Sequence, residues 1–400
     1  MVQWKCKRAL FTTFIIVFIA LLSIPLRRLR ARAPKVSRTR YLPISFAIHE
    51  RYVLPPTSEC VGTKNQSLAT VIPGRKSTYV YADETAYYAD YRRSFYALTM
   101  QKGGWDCFRH YEILANGCVP SFLGIDDIPP LTMHTFPKEL VQQAMRLPGV
   151  PTEESVINAL ASTAQHTADL FQIDFSVFNK TAYCKLRRQL MQYARERLTT
   201  RALGEYVVEQ IRSLRPPVPI SGRGVLLITE PSVEYQSGLL YIGLVEILGS
   251  KLFTYPYRKA IVHADHRNDT KAYGRGFGFQ GVLPTTGLYA DHAEEEADHA
   301  YQTIVEYRLQ NGGFDAIIVT NGGNEYCEVD LYQTKFGIGR QTKSLRTKVL
   351  AYRTRYPDSV LMFVDGSDLG GCHTTDLPNV DVHFVRETAN ALSGPFLLQS

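Results

Sequence analysis

Nowhere in the 400 residues do two cysteines stand as Cys-x-x-Cys, nor two aspartates as Asp-x-Asp. The first absence excludes a zinc ribbon or a thioredoxin-type pair. The second removes the short carboxylate pair that commonly grips a divalent cation on a phosphate. No repeat of fixed period and no low-complexity tract occurs, which leaves out solenoids and arrays. Net charge is modest: 45 Lys and Arg stand against 38 Asp and Glu, giving +7, and ten of the basic residues fall in the first forty. The remainder is close to neutral, which argues against a nucleic-acid-binding body. What remains, with 45% apolar residues, 28 Gly and 21 Pro, is neither disordered nor fibrous. The length calls for two domains of the usual ~100–200 residues plus extras.

Only one long apolar run is present, ALFTTFIIVFIALLSIPL at 9–26, eighteen uncharged residues after a short basic tail at 1–8. That is the short end of what spans a ~30 Å hydrocarbon layer, and the basic RRLRAR after it is a poor cleavage region, so a transmembrane signal anchor is expected over a cleaved signal peptide. The basic residues on its carboxyl side favour a cytosolic body by the positive-inside rule. Three Asn-x-Ser/Thr patterns, at Asn65, Asn179 and Asn268, favour a secretory lumen instead. Six cysteines beyond the anchor, Cys60, Cys107, Cys118, Cys184, Cys327 and Cys372, permit disulfides without requiring them.

Residues 27–43 are basic and lack periodicity, and read as a stem. A first globular region covers 44–215, with helices expected at 152–170 and 185–214 from apolar spacings of three and four. RPPVPISGRG at 215–224 breaks all periodicity, so 216–224 is a linker. Over 225–400 the pattern becomes short apolar strands (224–230, 251–256, 314–320, 359–366, 380–387) between helices (237–249, 294–310). Near-continuous apolar strands of this kind belong to a parallel sheet covered on both faces, an α/β doubly wound domain.

The densest cluster of special residues is SFYALTMQKGGWDCFRHYEILANGCVP at 94–120. It reads as a strand at 94–99, a turn at Gly103-Gly104, a helix at 105–116, a stop at Gly117 and a strand from Val119. A glycine turn feeding a helix N-terminus lets backbone amides approach a diphosphate. Arg109 and Glu112 share one face of that helix, where a guanidinium can clamp phosphate and a carboxylate can accept from ribose hydroxyls. Equally, the two can form a solvated pair and the glycines can simply turn the chain.

This segment resembles the donor-nucleotide-binding segment of the exostosin-like glycosyltransferases, of which the chain would be a distant member. Ser94-Phe95, Gly103-Gly104, Asp106, Arg109, Glu112 and Gly117-Cys118-Val119-Pro120 match in order and roughly in spacing, well over about thirty residues. The resemblance implies a GT-B-like fold of two Rossmann-like domains, here in atypical order because the donor segment precedes the second α/β domain. It implies a nucleotide-sugar donor, UDP-linked, with Ser94, Gly103, Gly104 and Asp106 around it, Arg109 on the diphosphate and Glu112 on the ribose. A glycan or glycoprotein hydroxyl is the implied acceptor, and the Golgi or ER lumen the implied place of a type II protein. Without Asp-x-Asp, no metal and no cofactor are expected, and Arg, Lys and helix N-termini neutralise the leaving group.

For the remaining chemistry, His110 is a candidate acid or base, although a helix histidine there is more often packing. Asp365 and Asp368 follow an apolar strand end and are candidates for the base that deprotonates an acceptor hydroxyl. Asn321-Gly-Gly-Asn324 ends another strand. The glycine-aromatic loop at 273–279 offers rings for a sugar face and Arg275 for a phosphate. The acidic-histidine run at 291–299 reads as a solvated helix face rather than a metal site. A non-catalytic glycan-binding or scaffolding subunit that kept the fold is the alternative, predicting ligand binding at 273–279 without turnover. A methyltransferase is disfavoured, since Glu230-Pro231 stands where a glycine-rich cofactor loop would follow the strand.

Overall fold

Along β5, Val225 and Leu227 enter one hydrophobic cluster while Leu226 and Ile228 enter another. The same alternation divides β8, with Val360, Met362 and Val364 on one side and Leu361 and Phe363 on the other. Successive strand residues point to opposite faces, so a sheet apolar on both faces is clad on both, which is why these strands read as unbroken apolar runs. The computed structural model describes residues 39–60, 62–162, 170–214, 223–229, 235–255, 273–283, 295–321, 339–368 and 380–388. The anchor at 9–26, the stem up to residue 38, most of the linker, residues 291–294 and 322–324, Cys327, Cys372 and Asn268 lie outside them. No described helix is long and apolar enough to cross a membrane.

The strands are β1 (Arg40–Pro43), β2 (Gln66–Leu68), β3 (Ser94–Met100), β4 (Val119–Leu123), β5 (Val225–Ile228), β6 (Leu252–Tyr255), β7 (Ala316–Asn321), β8 (Val360–Asp365) and β9 (Val382–Val385). Among the described residues they form two wholly parallel sheets, a six-stranded one ordered β1-β9-β8-β7-β5-β6 and a three-stranded one ordered β2-β3-β4. The helices are α1 (Glu84–Arg93), α2 (Phe108–Ala115), α3 (Lys138–Met145), α4 (Glu153–Ala161), α5 (Lys180–Arg197), α6 (Thr200–Leu214), α7 (Tyr235–Leu248), α8 (Glu295–Asn311) and α9 (Gly339–Arg355). The mixed α/β character, the parallel sheets and the positions of β3 to β9 agree with the sequence reading.

Three features differ from it. Residues 40–43, expected in the stem, form β1 and pair in register with β9, Arg40 opposite Val382 and Pro43 opposite Val385. The amino-terminal segment thus completes the sheet built by the carboxyl-terminal half, which no local pattern can reveal. The helix expected over 185–214 is also two helices. Ile48 inserts its backbone at the junction, donating to Leu198 and accepting from Thr200, and this bridge interrupts the helical ladder. Nor does the linker separate two cores: one hydrophobic cluster runs from Leu98 and Phe122 of the small sheet to Leu227, Met362 and Phe384 of the large one.

Where α6 meets α7 the two backbones nearly touch. A methyl group at Gly243 would overlap the carbonyl of Thr200, and one at Gly204 would lie 2.6 Å from the Gly243 carbonyl. Glycine at both positions lets the last helix of the small-sheet half lie directly on the first helix of the large-sheet half.

Candidate functional site

The 94–120 unit folds as its pattern dictates. β3 runs to Met100, the glycine turn follows, α2 occupies 108–115, and Gly117, at φ +64°, takes the left-handed conformation that ends the helix before β4. The turn is not open to solvent on its far side. A methyl group at Gly103 would overlap the Asp368 carboxylate, and one at Gly104 would overlap that of Glu387. Asp368 and Glu387 lie just beyond the carboxyl ends of β8 and β9, so the glycine turn of the small sheet sits against the end of the large sheet where parallel α/β folds place ligands.

Arg386 organises this junction. Fully buried, it donates from Nε to the Gly366 carbonyl at 2.9 Å, from Nη1 to the Asp106 carbonyl and from Nη2 to Asp368. Its guanidinium also lies over the Phe46 ring, 4.6 Å from the centroid. Glu387 accepts from the backbone amide of Asp106 at 2.8 Å. Burial pushes the Glu387 carboxyl up to about 7, against the opposing pull of Arg386. Asp368 is the accessible member, its side chain 25% exposed.

Several expected site residues are committed to the fold. Asp106 is buried, with one carboxylate oxygen accepting from Tyr111 Oη at 2.9 Å and the other from the Phe46 amide at 2.8 Å; burial raises its carboxyl to about 6. It ties the turn to the strap after β1 rather than facing a ligand. Ser94 lies at the opposite end of β3 from the turn, about 20 Å away for a strand of this length, where its hydroxyl donates to the Asp90 carbonyl and closes α1. Asp365 is fully buried and accepts from the Ser367 amide at 3.0 Å, shaping the loop that presents Asp368. Arg275 is exposed and donates to the Ala82 carbonyl at 3.2 Å, pinning the 273–283 segment to the start of α1.

His110 has both ring nitrogens engaged, Nδ1 with Thr99 Oγ1 at 2.9 Å and Nε2 with the Trp105 carbonyl at 2.8 Å. Burial drives its pKa down to about 3, so it packs as a neutral ring between β3 and the turn. Glu112 faces α1 and accepts from Tyr88 Oη at 3.0 Å and Tyr87 Oη at 3.1 Å; burial lifts it to about 7. Both of its oxygens are thus occupied where ribose was expected.

Arg109 differs from these. Its Nη2 donates to Tyr79 Oη at 2.9 Å, yet its Nε is buried with no partner. The Cys107 thiol, raised to about 12 chiefly by burial, feels the charges of Asp106, Arg386, Arg109 and Asp368 together. Two cations and two carboxylates thus act on the residue that leads into α2. Among the described residues no group of three His, Cys, Asp or Glu side chains is arranged to hold a metal ion.

Of the candidates singled out from the sequence, Gly103, Gly104 and Asp368 meet at this junction, and Arg386 and Glu387, which were not singled out, complete it. Their signal was a charged Arg-Glu pair directly after the apolar strand VHFV, the position where α/β sheets present ligand-binding groups. Cys60 and Cys184 form a disulfide, while Cys107 and Cys118 are free. Compared with protein-family models, curated proteins and solved structures, the chain has no match.

Proposed function

We propose that this chain is a membrane-anchored glycosyltransferase that moves a sugar from a UDP-linked donor to a glycan or protein hydroxyl, without a bound metal, on a GT-B-like pair of facing α/β halves. One observation carries the reading: the glycine turn that resembles an exostosin-like donor segment packs against Asp368 and Glu387 at the carboxyl end of a second parallel sheet. In this reading the diphosphate lies at the start of α2, where the buried, unpaired Nε of Arg109 supplies a donor and the helix dipole adds to it. Arg109 and Arg386 balance the charge that develops on the leaving group. Asp368, beside Gly103 and part-exposed, is the carboxylate that takes the acceptor proton. Glu112 serves the ribose only by exchanging a tyrosine hydroxyl for a ribose one. The Cys60–Cys184 disulfide and the exposed Asn179 support a lumenal body.

Titration of the full chain with UDP and common UDP-sugars, read by Trp105 fluorescence and by UDP release, tests this. Arg109→Ala is expected to weaken UDP binding at least about tenfold, and Asp368→Asn to lower turnover about a hundredfold or more with UDP affinity kept. Absence of affinity for every donor sinks the reading.

A second reading, a glycan-binding or scaffolding subunit without turnover, is favoured by the capture of Glu112 by Tyr87 and Tyr88. It expects sugar or partner binding with no UDP release from any donor.

A further inference from the structure

Two buried glutamines have no hydrogen-bond partner at either end of their amides. Gln236 is the second residue of α7, just after the chain leaves β5, and Gln280 lies in the 276–283 segment; each is 2% exposed. The hydroxyl of Thr229, the residue after β5, is buried and unpaired as well. Tyr235 packs on Phe279 with ring centroids 4.8 Å apart, so the residues that directly precede the two glutamines touch, while the Gln280 amide itself lies over Gly276. The same tyrosine stacks on Phe108 at 4.7 Å and meets Phe46 at 6.1 Å, next to the glycine turn and Arg386.

Position adds a second argument. The chain passes from β5 to β6 on one side, then crosses to β7 on the other. The carboxyl end of β5 is therefore the point where strand order reverses, and such crevices take ligands in open parallel sheets. Native proteins leave few buried polar atoms unpaired, because each such atom gives up its water without compensation. Five atoms of that kind lie on three residues, two of them at the start of the β5 crossover and the third in the segment whose Phe279 packs on Tyr235, and they are groups that a ligand would complete.

The chemistry of that ligand follows from the groups. Each amide offers a donor and an acceptor, and the hydroxyl offers both. No charged side chain is bonded to any of them. Their complement is a neutral molecule whose own groups both donate and accept, with apolar C–H faces for the surrounding rings, and a sugar has that pattern. We propose that Thr229, Gln236 and Gln280 line a carbohydrate-binding site. The site rests on the unpaired groups alone; its role as the acceptor site rests on the transferase reading.

Calorimetric titration of the full chain with methyl β-galactoside, methyl β-xyloside and methyl N-acetyl-β-glucosaminide tests it, alongside Gln236→Met, Gln236→Leu, Gln280→Met and Gln280→Leu. Saturable binding of at least one glycoside is expected, weakened about tenfold or more at each position. Without ligand, the better tolerated substitution at each position should raise Tm, since it removes polar atoms that have no partner. UDP affinity should stay at the wild-type value. Failure of all three glycosides to bind, undiminished binding after substitution at either glutamine, or a Tm lowered by both substitutions at a position overturns the proposal. If a glycoside binds and UDP does not, the transferase reading falls and the carbohydrate site stands.

Discussion

Glu387 accepts a hydrogen bond from the backbone amide of Asp106, 2.8 Å away across 281 residues of sequence. The glycine turn, read as an open cradle for a diphosphate, is thus held in the folded protein by a carboxylate from the far end of the chain. Gly104 makes this possible, because any side chain there would occupy the space of the Glu387 carboxylate.

The pH dependence of stability should carry the mark of Glu387. Its pKa rises from 4.5 to about 7 on folding. Between those values the folded state holds a proton that the unfolded state has released, so this group's contribution to stability falls as pH rises through that window. Glu387→Gln should flatten the decline, by up to about 3 kcal/mol between pH 4 and 8. Urea midpoints of both proteins at the two pH values measure it; parallel slopes would refute the assignment.

Alanine at the two turn glycines should have unequal effects. Gly103→Ala pushes on Asp368, which is part-exposed and can swing away, whereas Gly104→Ala pushes on the buried Glu387. Gly104→Ala is expected to destabilise by about 1–3 kcal/mol and Gly103→Ala by less, as read by thermal unfolding. The reverse order would show that the turn is packed differently.

At the α6–α7 crossing, Gly243→Ala should be among the more damaging small substitutions. Its methyl meets the Thr200 backbone carbonyl, which cannot rotate aside, so the helices must separate at a cost of about 2 kcal/mol or more. Gly249→Ala makes a useful control: it faces open space at φ +53°, and strain alone should cost about 1 kcal/mol. Equal melting temperatures for the two variants would contradict the close approach.

Loss of the Cys60–Cys184 bridge, by serine at both positions, should lower stability by about 2–5 kcal/mol, since the bridge closes a span of 124 residues. Chemical denaturation with and without reductant checks it; an unchanged midpoint would mean that the bridge does not form.

Much of this protein was legible locally. Apolar runs announced β3 to β9 and local patterns announced α2 and α4 to α8, whereas β1, β2, α1, α3 and α9 were not read from the sequence. The pair Gly103-Gly104 and the single Gly117 marked both ends of α2, because glycine alone tolerates such turns and helix stops easily. Arg109 and Asp368 stood out as candidates from their positions alone, one at a helix start and one beyond a parallel strand.

What the sequence by itself determined, then, is most of the strands and longer helices and the character of the groups at their ends. Tertiary structure alone decided which groups meet. It paired β1 with β9, closed the glycine turn with Glu387, turned Glu112 toward Tyr87 and Tyr88, and left Gln236 and Gln280 without partners. The physical reason is one of range. Backbone propensity and side-chain periodicity act over a few residues, whereas partner choice for a buried charge or amide depends on burial and on neighbours brought from hundreds of residues away.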